Sequence, residues 1–296
     1  MKELTLKSRE TEELIDIYFY RPLGYFVAQI AKKVGLTPNI VSILAGIIGV
    51  IAGHLFYYTS LKINIIGIML FIVSDIFDSA DGILARITNN KTTIGRILDG
   101  ISGNVVFLSI YVHLALRLYN EFGSVLYIGL VFLAVVSHSL QFPIADFYRN
   151  AYLFVVVDKE KAELDSLSSG DSFNKNTGNS IYYKLYSAVL EIQRLLTKSF
   201  KSFYDLVNKK YPFQIPPSIR EEYKRLNKPI IKYCNFLTIN SRIIILTIAL
   251  FLGKPVIFIA ATIVLYNLVL IYVIILENKY SVKLSLLLKS NDKEDA

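Results

Sequence analysis

The chain has 296 residues, 53% of them hydrophobic, a mean hydropathy of +0.46 and a formal net charge of +8. An ordinary soluble domain is about 45–50% apolar even with glycine counted, so this composition excludes one. The apolar residues fall in blocks of roughly 20, the length a helix needs to cross about 30 Å of hydrocarbon, and they lack the period-two alternation of barrel strands.

The charged opening, Met1 to Glu13, is followed by no short apolar core with a small-residue cleavage site, so it does not read as a signal peptide. Leu14, Ile17, Tyr18, Tyr25, Ala28 and Ile30 then suggest a short interfacial helix, broken near Arg21-Pro22. Thr37-Pro38-Asn39 marks the start of the first long apolar helix, because threonine caps well and proline is tolerated in a first turn.

Six spans are expected, at about 38–60, 62–86, 94–118, 123–156, 235–253 and 255–277. The second and fourth exceed the membrane thickness and are expected to extend into the cytoplasm. Lys2, Lys7, Arg9, Arg21, Lys32 and Lys33 precede the first span, and Arg86, Lys91 and Arg96 bracket the turn between the second and third. The opposite connections carry only Lys62, Arg117 and Lys254, which places both termini in the cytoplasm. The expected fold is therefore all-α, a polytopic membrane protein of six transmembrane helices with an N-terminal interfacial helix.

Residues 158–232 interrupt this plan with 14 Lys/Arg against 9 Asp/Glu, a local excess of +5 that suits an anionic inner leaflet. A Ser/Gly/Asn-rich run, Ser166 to Ser180, reads as loop. Leu185, Val189, Ile192, Leu196, Phe203 and Leu206 follow at helical spacing with basic residues between them, which describes an amphipathic helix ended by Tyr211-Pro212 and Pro216-Pro217. Its apolar face lies either on lipid headgroups or on the cytoplasmic ends of the spans. The resulting division is 1–37 as an N-terminal cytoplasmic segment, 38–157 as spans one to four, 158–234 as a cytoplasmic insert, 235–277 as spans five and six, and 278–296 as a cytoplasmic tail. No basic module stands apart from the membrane segments, so nucleic acid is not an expected partner. The single cysteine, Cys234, excludes an internal disulfide.

Chemistry concentrates between residues 75 and 104. Asp75, Asp78 and Asp81 recur at steps of three near the end of the second span, where ionised carboxylates are costly and need compensation. At about 100° per residue Asp78, Gly82 and Ala85 fall within ~40° of one another, so one helix face offers oxygen ligands beside nearly bare backbone. The third span opens Gly95-Arg96-Ile97-Leu98-Asp99, again a small residue one turn from a carboxylate. Carboxylates from two neighbouring helices suit hard divalent cations that also bind phosphate. Pairing of the aspartates with Arg86 and Arg96, or a proton or ion pathway, are the alternatives. His54, His113 and His138 are scattered without metal-like spacing and read as hydrogen-bonded packing.

Asp78-x-x-Asp81-Gly82-x-x-Ala85-Arg86, followed after eight residues by Gly95-x-x-x-Asp99, resembles the signature of the CDP-alcohol phosphotransferase family, also called the CDP-alcohol phosphatidyltransferase family. The resemblance covers roughly residues 20–155 and, more loosely, the last two spans. It implies transfer of a substituted phosphate from a CDP-linked donor to an alcohol or lipid acceptor in polar-lipid synthesis, with release of CMP, at the cytoplasmic face of a bacterial inner membrane. It further implies that Asp78, Asp81 and Asp99 bind one or two Mg2+ or Mn2+ ions. Asn39, Gly82, Ala85, Arg86 and Gly95 would surround the nucleotide, and a homodimer would be in keeping with the family.

The pattern departs at one position. The family's fourth aspartate, taken as base and metal ligand, is matched here by Gly103, and glycine can be neither. A longer bacterial branch reads Gly-Asp at these two positions, which would make Asn104 the substituted base. An ideal helix turns Asn104 ~140° from Asp99, so this needs a π-bulge. Asp75 is the other candidate base. The expected activity is thus an impaired phosphotransferase, with a CDP- and metal-binding protein lacking turnover, or an ion-coupled transporter, as the alternatives.

Overall fold

The computed structural model describes residues 8, 10–90, 92–157, 159, 162, 164 and 181–294, with the side chains at 93, 94, 96, 97, 99, 181–186 and 291–294 outside the description. Among the described residues the long elements are all helices and no strand occurs, so the chain is all-α. The helices are α1 (Arg21–Lys33), α2 (Pro38–Leu55), α3 (Leu61–Ile87), α4 (Thr93–Phe122), α5 (Leu126–Tyr152), α6 (Ile181–Leu196), α7 (Lys198–Lys210), α8 (Pro217–Phe236), α9 (Ile239–Phe251), α10 (Val256–Ile263) and α11 (Leu265–Glu294). They form two units, Met1–Val136 with Ile239–Ile263 and Ser137–Thr238 with Val264–Ala296.

In the first unit a π-helical turn, Asp16–Tyr20, runs directly into α1. The break expected near Arg21-Pro22 is instead a change of winding, since a wide turn accommodates the hydrogen bond that proline cannot make. α1 ends at Gly35, whose φ of 75° lets the Leu36 N–H reach back to the Ala31 carbonyl at 2.9 Å. Thr37 then caps α2 as its sequence suggests, accepting from the Ile40 N–H with Pro38 in the first turn. Thr92 does the same for α4, accepting from the Gly95 N–H at 2.9 Å.

α2, α3 and α4 pack through small residues. A methyl group at Gly46 would come within 2.6 Å of the Ser102 Oγ, and one at Gly53 within 2.6 Å of the Ser109 Oγ and 2.9 Å of the Ile110 backbone nitrogen. Serines on the partner helices donate to α2 carbonyls: Ser74 to Ala45 at 2.8 Å, Ser102 to Ser42 at 3.1 Å and Ser109 to Val50 at 3.0 Å. Small residues and interhelical hydroxyls hold helices together where lipid removes the hydrophobic drive between them. Phe56, Phe71, Ile110, Tyr111, Leu114, Leu246 and Phe258 complete the core, with Tyr111 stacked on Phe258 at 5.7 Å.

In the second unit α5 continues into a π-helical turn, Leu153–Val157. The amphipathic segment is two helices divided at Thr197, and α7 lies against protein: Phe200, Phe203 and Val207 are fully buried. Phe200 meets Phe147 edge-on at 5.5 Å, and Phe203 stacks on Tyr223 at 5.7 Å. α7 ends at Lys210 and α8 starts at Pro217, as the prolines suggest. The expected boundary between a last span and a tail at 277 falls inside α11, which continues to Glu294. The expected loop at Ser166 to Ser180 lies outside the described residues.

Five stretches are each long and apolar enough to cross a membrane: Pro38–Leu55, Leu61–Ile87, Gly100–Phe122, Leu126–Val157 and Val256–Ser290. α9 has 13 residues, about 20 Å at 1.5 Å each, and makes a sixth only when counted with α8. Large apolar side chains such as Ile43, Ile47, Ile51, Met69 and Leu108 are exposed on these helices, the arrangement of an integral membrane protein.

Candidate active site

The motif carboxylates occupy the last third of α3. Asp81 is buried, 5% exposed, and accepts a short hydrogen bond from the Ser42 hydroxyl in the first turns of α2. Ser42 also lies 3.2 Å from the Pro38 carbonyl, so the Thr37-Pro38 start of α2 sets the position of the donor that holds Asp81. Asp78, half-buried one turn earlier, opens onto a pocket. That pocket is lined by Ala45, Phe71, Ser74, Asp75, Asp78, Ser102, Gly103, Val106, Phe107 and Ile239.

Asp75 shares the pocket and is hydrogen-bonded to the Tyr20 phenol. Burial pushes the Tyr20 phenol above its usual range, and the charges of Asp75 and Asp16 add to this. Asp16 is itself held by the Asn240 amide at 2.9 Å. Asp16, Tyr20 and Asn240 carry no local motif, and Asn240 is 224 residues from Asp16, so pattern reading does not find them.

Gly82 is half-buried, and a methyl group there would meet only the Arg86 guanidinium, at 3.7 Å. The α3 face beside Asp78 and Ala85 is thus bare backbone next to a cation. Gly95 brings the first turn of α4 against α2: a methyl group there would sit 3.1 Å from the Asn39 Oδ1. The Asp99 side chain lies outside the described residues, although its backbone is part of α4.

Gly103 faces the pocket, and a methyl group on it would meet no described atom within 4 Å. Asn104 is exposed and donates its amide to the Gly100 carbonyl at 2.8 Å. α4 is a regular α-helix through this stretch, so the π-bulge that would turn Asn104 toward Asp99 is absent. The structure thus brings Asp75, Asp78 and Gly103 to one pocket, and leaves Asn104 off it.

Among the described residues no group of three or more His, Cys, Asp or Glu side chains converges to hold a metal ion. The donors that are described, the Asp78 and Asp81 carboxylates with neutral oxygens on Asn39 and Ser42, are of the all-oxygen type that a hard divalent cation takes. The histidines pack, as expected: His54 and His113 pair through their ring nitrogens at 3.0 Å, and His113 also bonds to Ser109. His138 is buried in the second unit.

No curated protein and no solved structure matches the chain. Residues 35–159, from the cap of α1 through α5 and so including every motif position from Asn39 to Asn104, match the family model for CDP-alcohol phosphatidyltransferase.

Proposed function

Because residues 35–159 are a CDP-alcohol phosphatidyltransferase domain, we propose that this membrane protein transfers a substituted phosphate from a CDP-linked donor to an alcohol, with turnover limited by the glycine at the base position. In this reaction the acceptor hydroxyl oxygen bonds to the phosphorus that carries the donated alcohol. The pyrophosphate bridge breaks, CMP leaves with the bridging oxygen, and the hydroxyl proton goes to a base. The observation that carries the reading is the convergence of Asp78 with the motif's base position, Gly103, on a single pocket.

Asp78 of that pocket, together with the motif aspartates Asp81 and Asp99, would hold one or two Mg2+ or Mn2+ ions. When bound, the metal neutralises phosphate charge. The bare face at Gly82 and Ala85 admits the diphosphate beside Arg86, and Asn39 against Gly95 borders the nucleotide. Gly103 offers no proton acceptor, and Asn104 accepts hydrogen bonds without accepting protons. Asp75 is the remaining carboxylate in the pocket and is our candidate for residual proton removal. The active site would face the cytoplasm of a bacterial inner membrane, and the acceptor would be a lipid or a soluble alcohol.

The test is CMP release by detergent-purified protein from a panel of CDP-linked donors and acceptors with Mg2+ or Mn2+. Slow release abolished by Asp78→Asn and by Asp75→Asn is expected. Release unaffected by Asp75→Asn would remove Asp75 from the mechanism. Metal-dependent donor binding with no release by any variant would establish the second reading, a nucleotide-binding protein, which Gly103 favours.

A further inference from the structure

Glu277 belongs to no part of this site. It lies in α11, within the second unit, fully buried, and among the described residues neither carboxylate oxygen has a hydrogen-bond partner. One turn later the Ser281 hydroxyl is equally buried and unpartnered. On α8 the Tyr223 hydroxyl and both polar atoms of the Asn227 side chain are buried without partners, and on α5 so is the Tyr148 hydroxyl. Glu277 and Ser281 are four residues apart on one helix, and Tyr223 and Asn227 four apart on another, so each pair shares a helix face. Glu277 is near enough for its charge to act on Tyr148, Tyr223 and Cys234, and the Tyr152 and Tyr223 rings lie 6.3 Å apart.

Buried polar groups are as a rule hydrogen-bonded. Orphaned oxygens on three helices, gathered around one carboxylate, therefore point to an occupant supplied from outside the chain. Its charge follows from the groups present. Arg149 and Asp146, which act on Cys234, offset each other, and among the described residues no cationic side chain acts on Glu277, so with Glu277 ionised the cluster carries −1. An anion would be repelled, a neutral alcohol or water would leave the charge unbalanced, and a divalent ion would leave an excess of +1 in surroundings of low dielectric. Hydroxyl, carboxamide and carboxylate oxygens are hard ligands. We propose that Glu277, with Tyr148, Tyr223, Asn227 and Ser281, binds one monovalent inorganic cation.

The site is built from residues of the second unit, includes none of the α3 aspartates and is independent of the phosphotransfer reading. Occupancy stabilises the folded chain by mass action, so melting temperature reports it. The full chain in detergent is unfolded at constant ionic strength in the chlorides of Na+, K+ and Li+, against the bulky organic cation N-methylglucamine. The expected result is a saturable rise in melting temperature with Na+ or K+, retained in Asp78→Asn and lost in Glu277→Gln. Tyr223→Phe removes one oxygen ligand and is expected to raise the half-saturating concentration several-fold, which serves if Glu277→Gln does not fold. Equal melting in all four salts overturns the site and indicates a protonated Glu277. A cation-dependent rise that survives both Glu277→Gln and Tyr223→Phe also overturns it.

Discussion

Gly103 is the residue at which the pocket and the motif disagree, and the space around it makes the disagreement testable. A side chain there meets no described atom within 4 Å, and the position lines the pocket with Asp75 and Asp78. A positioned general base contributes about 10²–10⁴-fold to rate. Gly103→Asp is therefore expected to raise CMP release by that order, while Asn104→Asp leaves it unchanged, because the Asn104 amide faces solvent and the Gly100 carbonyl. A rise with Asn104→Asp alone would mean that α4 winds differently in the working enzyme. Donor affinity changes less than rate in either variant, since the aspartates proposed to hold metal are retained.

At the scale of elements the joint of α2 with α4 and the seat of α7 are the informative cases. Gly53 packs against the Ser109 hydroxyl and the Ile110 backbone, and backbone cannot rotate away. Gly53→Ala is expected to destabilise by about 1–3 kcal/mol through overpacking. Gly100→Ala, with nothing within 4 Å, is expected to be neutral or to stabilise by up to about 1 kcal/mol through helix propensity. Thermal unfolding in one detergent compares the two, and equal shifts would contradict the packing. On α7, Phe203→Ala is expected to cost about 3–5 kcal/mol, because a fully buried ring stacked on Tyr223 is lost. Lys201→Ala, which breaks only an exposed pair with Asp205, is expected to change stability by less than about 0.5 kcal/mol. A small effect at Phe203 would return α7 to the headgroup surface. The helical period was legible in the insert. Whether its apolar face met lipid or protein was not, since both reward the same pattern.

For the whole molecule the basic connections predict orientation, and the chain's lone cysteine makes it measurable. Cys234 is fully buried, so cysteines introduced at exposed Asn90, between α3 and α4, and exposed Lys254, between α9 and α10, can be labelled against low background. A membrane-impermeant maleimide applied to intact cells is expected to label Lys254→Cys and to spare Asn90→Cys until the membrane is opened. The reverse pattern would place the α3 carboxylates on the outer face. Labelling of both in intact cells would refute a single fixed topology. Lys254 also tests α9, which is too short to cross without α8.

The all-α class, the positions of the first four spans, the caps at Thr37 and Thr92 and the motif face of α3 are local properties. Hydrophobic block length, first-turn geometry and helical spacing determine them, and all are written along a single segment. The carboxylate spacing likewise singled out Asp78 and Asp81 from the sequence alone, and the family resemblance singled out Gly103. Tertiary structure alone decided what meets across helices: Ser42 on Asp81, Tyr20 on Asp75, His54 on His113, and the buried group around Glu277. It also joined residues 239–263 to the first unit. These pairings depend on rotation and register between distant helices, and a lipid-facing and a protein-facing apolar stripe look alike until a neighbour is in place.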